Sequence, residues 1–386
     1  MKKFLSSDAA TGVVLVFATL LAMLLANSGA RELYEAALAH PFTLPIPLFE
    51  LTKPTLKWIN DGLMVFFFLL VGLEIKRELI CGHLSSRSKA LLPLAGALGG
   101  VVLPAILYTF INGDNPATAH GWAIASATDI AFVVGLLAFL AGRIPPSLVI
   151  FIVAVAVIDD LCAILIIAFF YSGGVNLTAL AAAAGVLALL VALNRLRVAI
   201  LWVYLFVGVF LWLAVLKSGI HATIAGVLLG MVIPFEVQNK HGHSLLLSLE
   251  HAIKPYIVWL VLPIFALANA GVALDGMSLA ILLEPVPLAI IVGLFFGKQL
   301  GIFAASWLLI KAGFSQLPEG ASWKQFYAIC IMGGIGFTMS LFIGMLAFDD
   351  PLLQAEVRLG VLSASLISAL VGFFVLHRVL PKTLKS

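Results

Sequence analysis

FIVAVAVIDDLCAILIIAFF, residues 151–170, is the stretch on which the fold turns. Every residue in it is apolar except Asp159 and Asp160. At about 1.5 Å per residue, a helix of this length crosses the roughly 30 Å hydrocarbon layer of a bilayer. Each carboxylate near its middle costs about 2.5–3.5 kcal/mol on insertion scales. A chain that keeps two of them side by side needs something to offset that cost. Protons, a cation or a buried base would each serve.

The rest of the chain has the same character. Of its 386 residues, 62% are hydrophobic and only 11% charged, and its mean hydropathy is +1.15. Soluble domains are nearer half apolar and a quarter charged. The apolar runs are continuous over about twenty residues, whereas transmembrane strands alternate over about ten. The sequence therefore predicts an all-α integral membrane protein: one polytopic domain over 1–386, with about twelve transmembrane helices. The expected spans are 11–27, 58–80, 89–111, 121–141, 147–171, 177–194, 199–216, 219–234, 253–274, 286–310, 325–347 and 356–377. The basic, apolar start at 1–30 imitates a signal peptide but is read as a retained first helix, because Asp8 does not suit a leader. Lys and Arg favour the side of the termini by roughly three to one, which places both termini in the cytoplasm. Segment 41–56, PFTLPIPLFELTKPTL, is expected as an outer, hairpin-like loop in which Pro45 and Pro47 each lack a ladder donor. A net charge of +3 gives no basis for nucleic-acid binding. Cys81, Cys162 and Cys330 show neither disulfide nor zinc spacing and are read as small apolar filler.

Two spans are poorly helical at their centres. ASATDIAFVVG at 125–135 carries Ser126, Thr128 and Asp129, and MGGIGFTMS at 332–340 carries Gly333, Gly334, Gly336, Thr338 and Ser340. Glycine costs a helix about 1 kcal/mol relative to alanine. Unwound backbone at membrane depth survives only where protein or a watery cavity satisfies it. These are the fourth and eleventh spans, and seven spans apart means opposite orientation. Residues 89–171 and 286–377 are thus expected to form inverted-topology repeats with two broken, crossing helices.

Asp129, Asp159, Asp160 and Lys298 all lie within spans, where ionisable residues mark ion or proton pathways. Three carboxylates and one lysine cannot all pair, so the surplus needs protons or a cation. Helical neighbours point about 100° apart, so Asp159 and Asp160 face different surroundings. Ala156 and Ala163, one turn from Asp160, leave room on its face for water or an ion. Na⁺ or Li⁺, a hard cation, would suit carboxylate and carbonyl oxygens together with Thr128; Ca²⁺ would want more oxygens. Competition between cation and protons at one site gives exchange. If both adjacent aspartates titrate, more protons than sodium ions move, two to one, and the cycle is electrogenic. Asp129 is expected to offset facing helix N-termini. Lys298 is expected either to offset facing C-termini or to pair with one of the twin aspartates.

Seven segments carry a family resemblance: WINDGLMVFFFLLVGLEIKREL (58–79), ATDIAF (127–132), IDDL (158–161), LKSGIHATIAG (216–226), FALANAG (265–271), GKQLG (297–301) and GIGFTMSLFI (334–343). In this order, and over nearly the full length, they resemble the bacterial NhaA-type sodium/proton antiporters. The resemblance implies twelve helices, a homodimer and a bacterial inner-membrane location. It implies export of cytoplasmic Na⁺ or Li⁺ against inward proton flow, with activity rising with pH and no resident cofactor. Asp159 and Asp160 would bind the metal ion and carry the protons, Asp160 being the direct sodium ligand. Thr128 and Asp129 would sit at the helix crossing, and Lys298 would partner Asp159 or carry a proton itself. A pH-responsive cytoplasmic group would map onto Glu74, Arg77, Glu78, Glu250 and His251. The chain departs from the pattern at Leu247, Ser248 and Lys254, and has Gln299 where some members have proline. His221 is read as a satisfied structural histidine.

Three rival readings differ in what they need; a passive cation channel would not need titratable groups stacked at mid-depth. A sodium-coupled symporter would share the broken-helix crossing but need room for an organic substrate. An intramembrane aspartyl protease, the enzymatic rival, usually carries Gly-x-Gly-Asp, which the sequence lacks. The expectation is a transporter, not an enzyme.

Overall fold

The computed structural model describes residues 8–46, 49–238, 242–276 and 278–381. Among these, eight helices are long and apolar enough to cross a membrane, and two further pairs of bent helices raise the total to as many as ten. Large apolar side chains such as Phe17, Phe110, Phe169, Phe206 and Leu308 stand exposed along these helices. Apolar surface on that scale belongs in lipid, and the protein is a multi-pass membrane protein.

Several boundaries differ from the sequence expectation for local reasons. Gly219 adopts a left-handed φ of +83° and ends the Leu201–Ser218 helix. The expected span at 219–234 therefore contains only the helix Ile224–Val232. The last helix starts at Pro351, earlier than expected, because Asp350 caps it and Pro351 fills the first turn, where no N–H is needed. The span expected at 253–274 begins at Leu245, passes through a π turn at Ile257–Val261 and ends at Asn269.

The chain forms two compact units. The first comprises Met1–Asn27, His83–Ala163 and Asn269–Ser386. In it the Arg87–Asn112 helix packs along the Lys298–Lys311 helix. Gly99 and Gly301 meet face to face there: a Cβ on either would strike the other's backbone carbonyl. Small residues at a crossing let two helices approach closely, which is how membrane helices gain packing energy without a hydrophobic drive. The Asp8–Ala26 helix lies against Ile130–Leu137, with Gly12 on the backbone of Gly135. Arg143 closes the far end of Pro351–Val379 by donating to the carbonyls of His377 and Pro381, each at 3.0 Å.

The second unit comprises Ser28–Gly82 and Ile164–Ala268. Strands Pro41–Ile46 and Phe49–Pro54 form an antiparallel hairpin in which Pro41 faces Pro54 and Ile46 faces Phe49. A two-stranded ribbon has only edges, where proline is tolerated when its nitrogen faces outward; Pro47 lies outside the described residues. Helix Met64–Ile80 packs on Ile224–Val232 through Gly72, Gly226 and Gly230, each set against opposing backbone. Lys76 Nζ donates to the carbonyls of Met231 (2.9 Å) and Ile233 (2.6 Å), the end where a cation is favoured. His221 has its ring partners, Thr223 Oγ1 at 2.8 Å and Asp61 at 3.6 Å.

Candidate functional site

The bent pairs are the two spans that the sequence marks as broken. One bends by 40° between Pro116–Ser126 and Ile130–Leu140, the other by 44° between Trp323–Met332 and Phe337–Ala347. Ser322 and Gln325 form a capping box that starts Trp323–Met332. That half-helix runs out at Gly333, and the chain resumes helical form at Phe337. In the other span, Ala127 and Asp129 are extended. The two unwound segments touch: the Asp129 N–H donates to the Ile335 carbonyl at 2.7 Å. Each break thus supplies hydrogen-bond partners that the other lacks.

Asp129 is 2% exposed and serves both helices that begin at the crossing. Its Oδ1 accepts from Phe132 N at 2.9 Å, capping Ile130–Leu137. Its Oδ2 accepts from Thr338 N at 3.0 Å and from Thr338 Oγ1, at the first turn of Phe337–Ala347. A helix N-terminus carries about half a positive charge, so two of them offset about one carboxylate. This is the arrangement expected for Asp129. In the sequence Thr338 is marked only as part of a glycine-rich break; its place two residues after Gly336, in the first turn of a new helix, is the signal for its contact.

Substituting Asp129 should therefore cost two caps at once. With a cap worth about 0.5–2 kcal/mol, Asp129→Ala is expected to lose about 1–4 kcal/mol, and Asp129→Asn less. Thermal unfolding in detergent measures this; an alanine variant that melts with the wild type would rule out the double cap.

Asp159 and Lys298 are both fully buried and form an ion pair. Of the two placements considered for Lys298, the structure holds the pairing. Asp159 Oδ2 also lies 2.8 Å from Thr128 Oγ1, which lies 2.8 Å from the Gly333 carbonyl as well. A hydroxyl has one proton, so Thr128 donates to only one of these at a time. Asp159 Oδ1 has no hydrogen-bond partner among the described residues. Asp160, 2% exposed, follows on the same helix about 100° around the axis. Ala156 and Ala163 are buried on its face. Carboxylate, hydroxyl and carbonyl oxygens of Asp159, Thr128 and Gly333 thus converge beside the Lys298 ammonium group. That set suits a hard monovalent cation and protons.

The residues expected to respond to pH lie in the second unit. Glu74, Arg77 and Glu78 share one helix face, and Glu250 and Lys254 share another. Arg77 Nε donates to both Glu250 carboxylate oxygens at 3.1 Å, and its Nη1 lies 2.9 Å from Glu78. Lys254 Nζ lies 2.9 Å from Glu74. His251 stands outside these pairs: it is exposed, and its Nδ1 meets the Leu247 carbonyl at 2.7 Å. Lys254, which the sequence marks only as a departure, supplies the charge that completes the network.

Two broken helices meeting beside buried carboxylates, in a membrane chain that is helical apart from one short hairpin, make the scaffold of a secondary transporter. Comparison with known proteins gives the family: residues 2–376 match Na⁺/H⁺ antiporter 1, and the chain belongs to it. It is 51% identical to the Na(+)/H(+) antiporter NhaA of Rhodospirillum rubrum, covering 97% of this chain and 96% of that protein. It is 50% identical to the Na(+)/H(+) antiporter NhaA of Aeromonas salmonicida, covering 98% and 96%. The solved structure of the sodium proton antiporter MjNhaP1 from Methanocaldococcus jannaschii shares the fold, with a TM-score of 0.53 at 15% identity over 94% of this chain and 90% of that one. The symporter reading finds no support among these relatives.

Proposed function

We propose that the protein exports cytoplasmic Na⁺ or Li⁺ in exchange for external protons, moving two protons for each cation. The observation that carries this reading is the buried Asp159–Lys298 pair with Thr128 against it, one residue from Asp160. Without sodium, Lys298 holds Asp159. A sodium ion entering against Asp160, Asp159 and Thr128 Oγ1 replaces the ammonium group with a harder, smaller cation. On the opposite side, protons take the carboxylates and the ion leaves. Because cation and protons use the same oxygens, neither crosses without the other. The bent pairs support alternating access, since rigid half-helices can rock about an unwound joint.

Twelve spans follow if the eight long helices and two bent pairs are joined by Met64–Ile80, extended back through Thr55, and by Ile224–Val232. Residues 89–171 and 286–377 would be the inverted repeats. We further infer an inner-membrane homodimer with both termini cytoplasmic and no resident cofactor, regulated by pH through the Glu74–Arg77–Glu78–Glu250–Lys254 network.

Inside-out vesicles carrying a proton gradient test the reading. Added Na⁺ or Li⁺ is expected to dissipate the gradient and K⁺ to leave it intact. Imposed membrane voltage should change the rate. A gradient indifferent to Na⁺ would sink the exchange reading, and a rate indifferent to voltage would sink the two-to-one ratio.

A further inference from the structure

Lys298 follows an irregular turn. Residues Val292–Gly297 form a π turn, and the Lys298 N–H reaches back five residues to the Gly293 carbonyl. A π turn holds one residue more than the α-helical path. If it relaxes, everything after it rotates by about one residue's worth of helix, roughly 100°. Lys298 would then point away from Asp159. Something must hold this register.

Gln299, 4% exposed, is placed to do so. Its Nε2 donates to the Phe295 carbonyl inside the π turn at 2.6 Å. Its Oε1 accepts from the Tyr327 hydroxyl at 2.8 Å. Only this orientation of the amide satisfies both contacts, since a carbonyl cannot donate. Tyr327 belongs to the half-helix Trp323–Met332, and its ring packs edge-on against Phe303, 5.2 Å between centroids, on the Lys298 helix. Phe303 also meets Trp323 and Phe326. The half-helix ends at Gly333, whose carbonyl faces Thr128, and Thr128 touches Asp159. The contacts therefore close a ring from Lys298 through Gln299, Tyr327, Gly333, Thr128 and Asp159 back to Lys298.

We propose that the Gln299–Tyr327 hydrogen bond is a positioning strut that sets how firmly Lys298 holds Asp159, and so how readily a sodium ion displaces the lysine. This rests on the exchange reading above, in which sodium and Lys298 compete for Asp159. Neither residue touches the ion. Both act through the register of the helix that carries Lys298.

Sodium-driven exchange by Tyr327→Phe, Gln299→Met and the double variant, at one alkaline pH, tests the strut. Tyr327→Phe keeps the ring in its aromatic cluster and removes only the hydroxyl; Gln299→Met keeps the side-chain length. A loosened lysine competes less well, so the KM for Na⁺ should fall in each single variant. The net worth of a neutral hydrogen bond, about 1 kcal/mol, makes this about fivefold for Tyr327→Phe. Gln299→Met also loses its contact with the Phe295 carbonyl, so the double variant should fall no further than Gln299→Met alone and not by the product of the two, because the Tyr327 hydroxyl has by then no bond left to lose. General destabilisation would lower the maximal rate and leave KM in place. An unchanged KM in Tyr327→Phe, or effects that multiply in the double variant, would overturn the strut. Loss of sodium response in the wild type itself would instead overturn the exchange reading.

Discussion

Asp160→Asn is expected to abolish sodium-driven proton movement in vesicles, and Asp160→Glu to retain part of it. Asparagine keeps the shape and one acceptor oxygen but loses the charge and the capacity to bind a transported proton. At an effective dielectric constant near 20, a carboxylate 4 Å from a cation contributes about 4 kcal/mol. That is roughly a thousandfold in affinity. Millimolar sodium should then leave the gradient of the asparagine variant untouched. Asp160 is buried beside two small alanines, so the near-isosteric change should not disturb packing. Comparable expression of the two variants would separate lost chemistry from lost protein. An asparagine variant that answers sodium like the wild type would remove Asp160 from the ion path.

The second large effect is on stability. Lys298→Met removes the ammonium group from a fully buried pair and leaves Asp159 without its counter-charge. Breaking such a pair from one side costs about 3–5 kcal/mol, because the remaining charge has lost its compensation without regaining water. Detergent-solubilised Lys298→Met should unfold at a markedly lower temperature than the wild type. The deficit should widen as pH rises, since the proton that could neutralise the carboxylate becomes harder to supply. Adding Asp159→Asn should restore most of the loss, because it removes the carboxylate that Lys298→Met leaves without its counter-charge. Equal melting of Lys298→Met and the wild type, at alkaline pH, would show that the pair does not stabilise the fold.

Much of the site was legible because its residues are costly where they stand. Asp129, Asp159, Asp160 and Lys298 are visible in any apolar run, and glycines at 333, 334 and 336 mark a break that a helix would not choose. Partners made of backbone, or of residues that are cheap in a membrane, were not legible. Nothing about Gly333, Phe295 or Tyr327 in the sequence says that its carbonyl or hydroxyl will meet Thr128 or Gln299. His251 shows the converse: a titratable residue beside Glu250 in sequence that turns to the Leu247 carbonyl and leaves Glu250 to Arg77 and Glu74 to Lys254.

The sequence by itself determined the solvent, the helices and the charged inventory of this protein. Those depend on composition and on periods of a few residues, and the bilayer punishes any alternative. Which charge meets which, by contrast, was decided only in the tertiary structure. Asp129 gained two helix ends and Asp159 gained Lys298 because glycine-lined crossings bring backbones close and two breaks fall at the same depth. Separations of 139 residues between Asp159 and Lys298, and of 209 between Asp129 and Thr338, carry no local pattern. Only the packed helices bring such distant groups within hydrogen-bond reach.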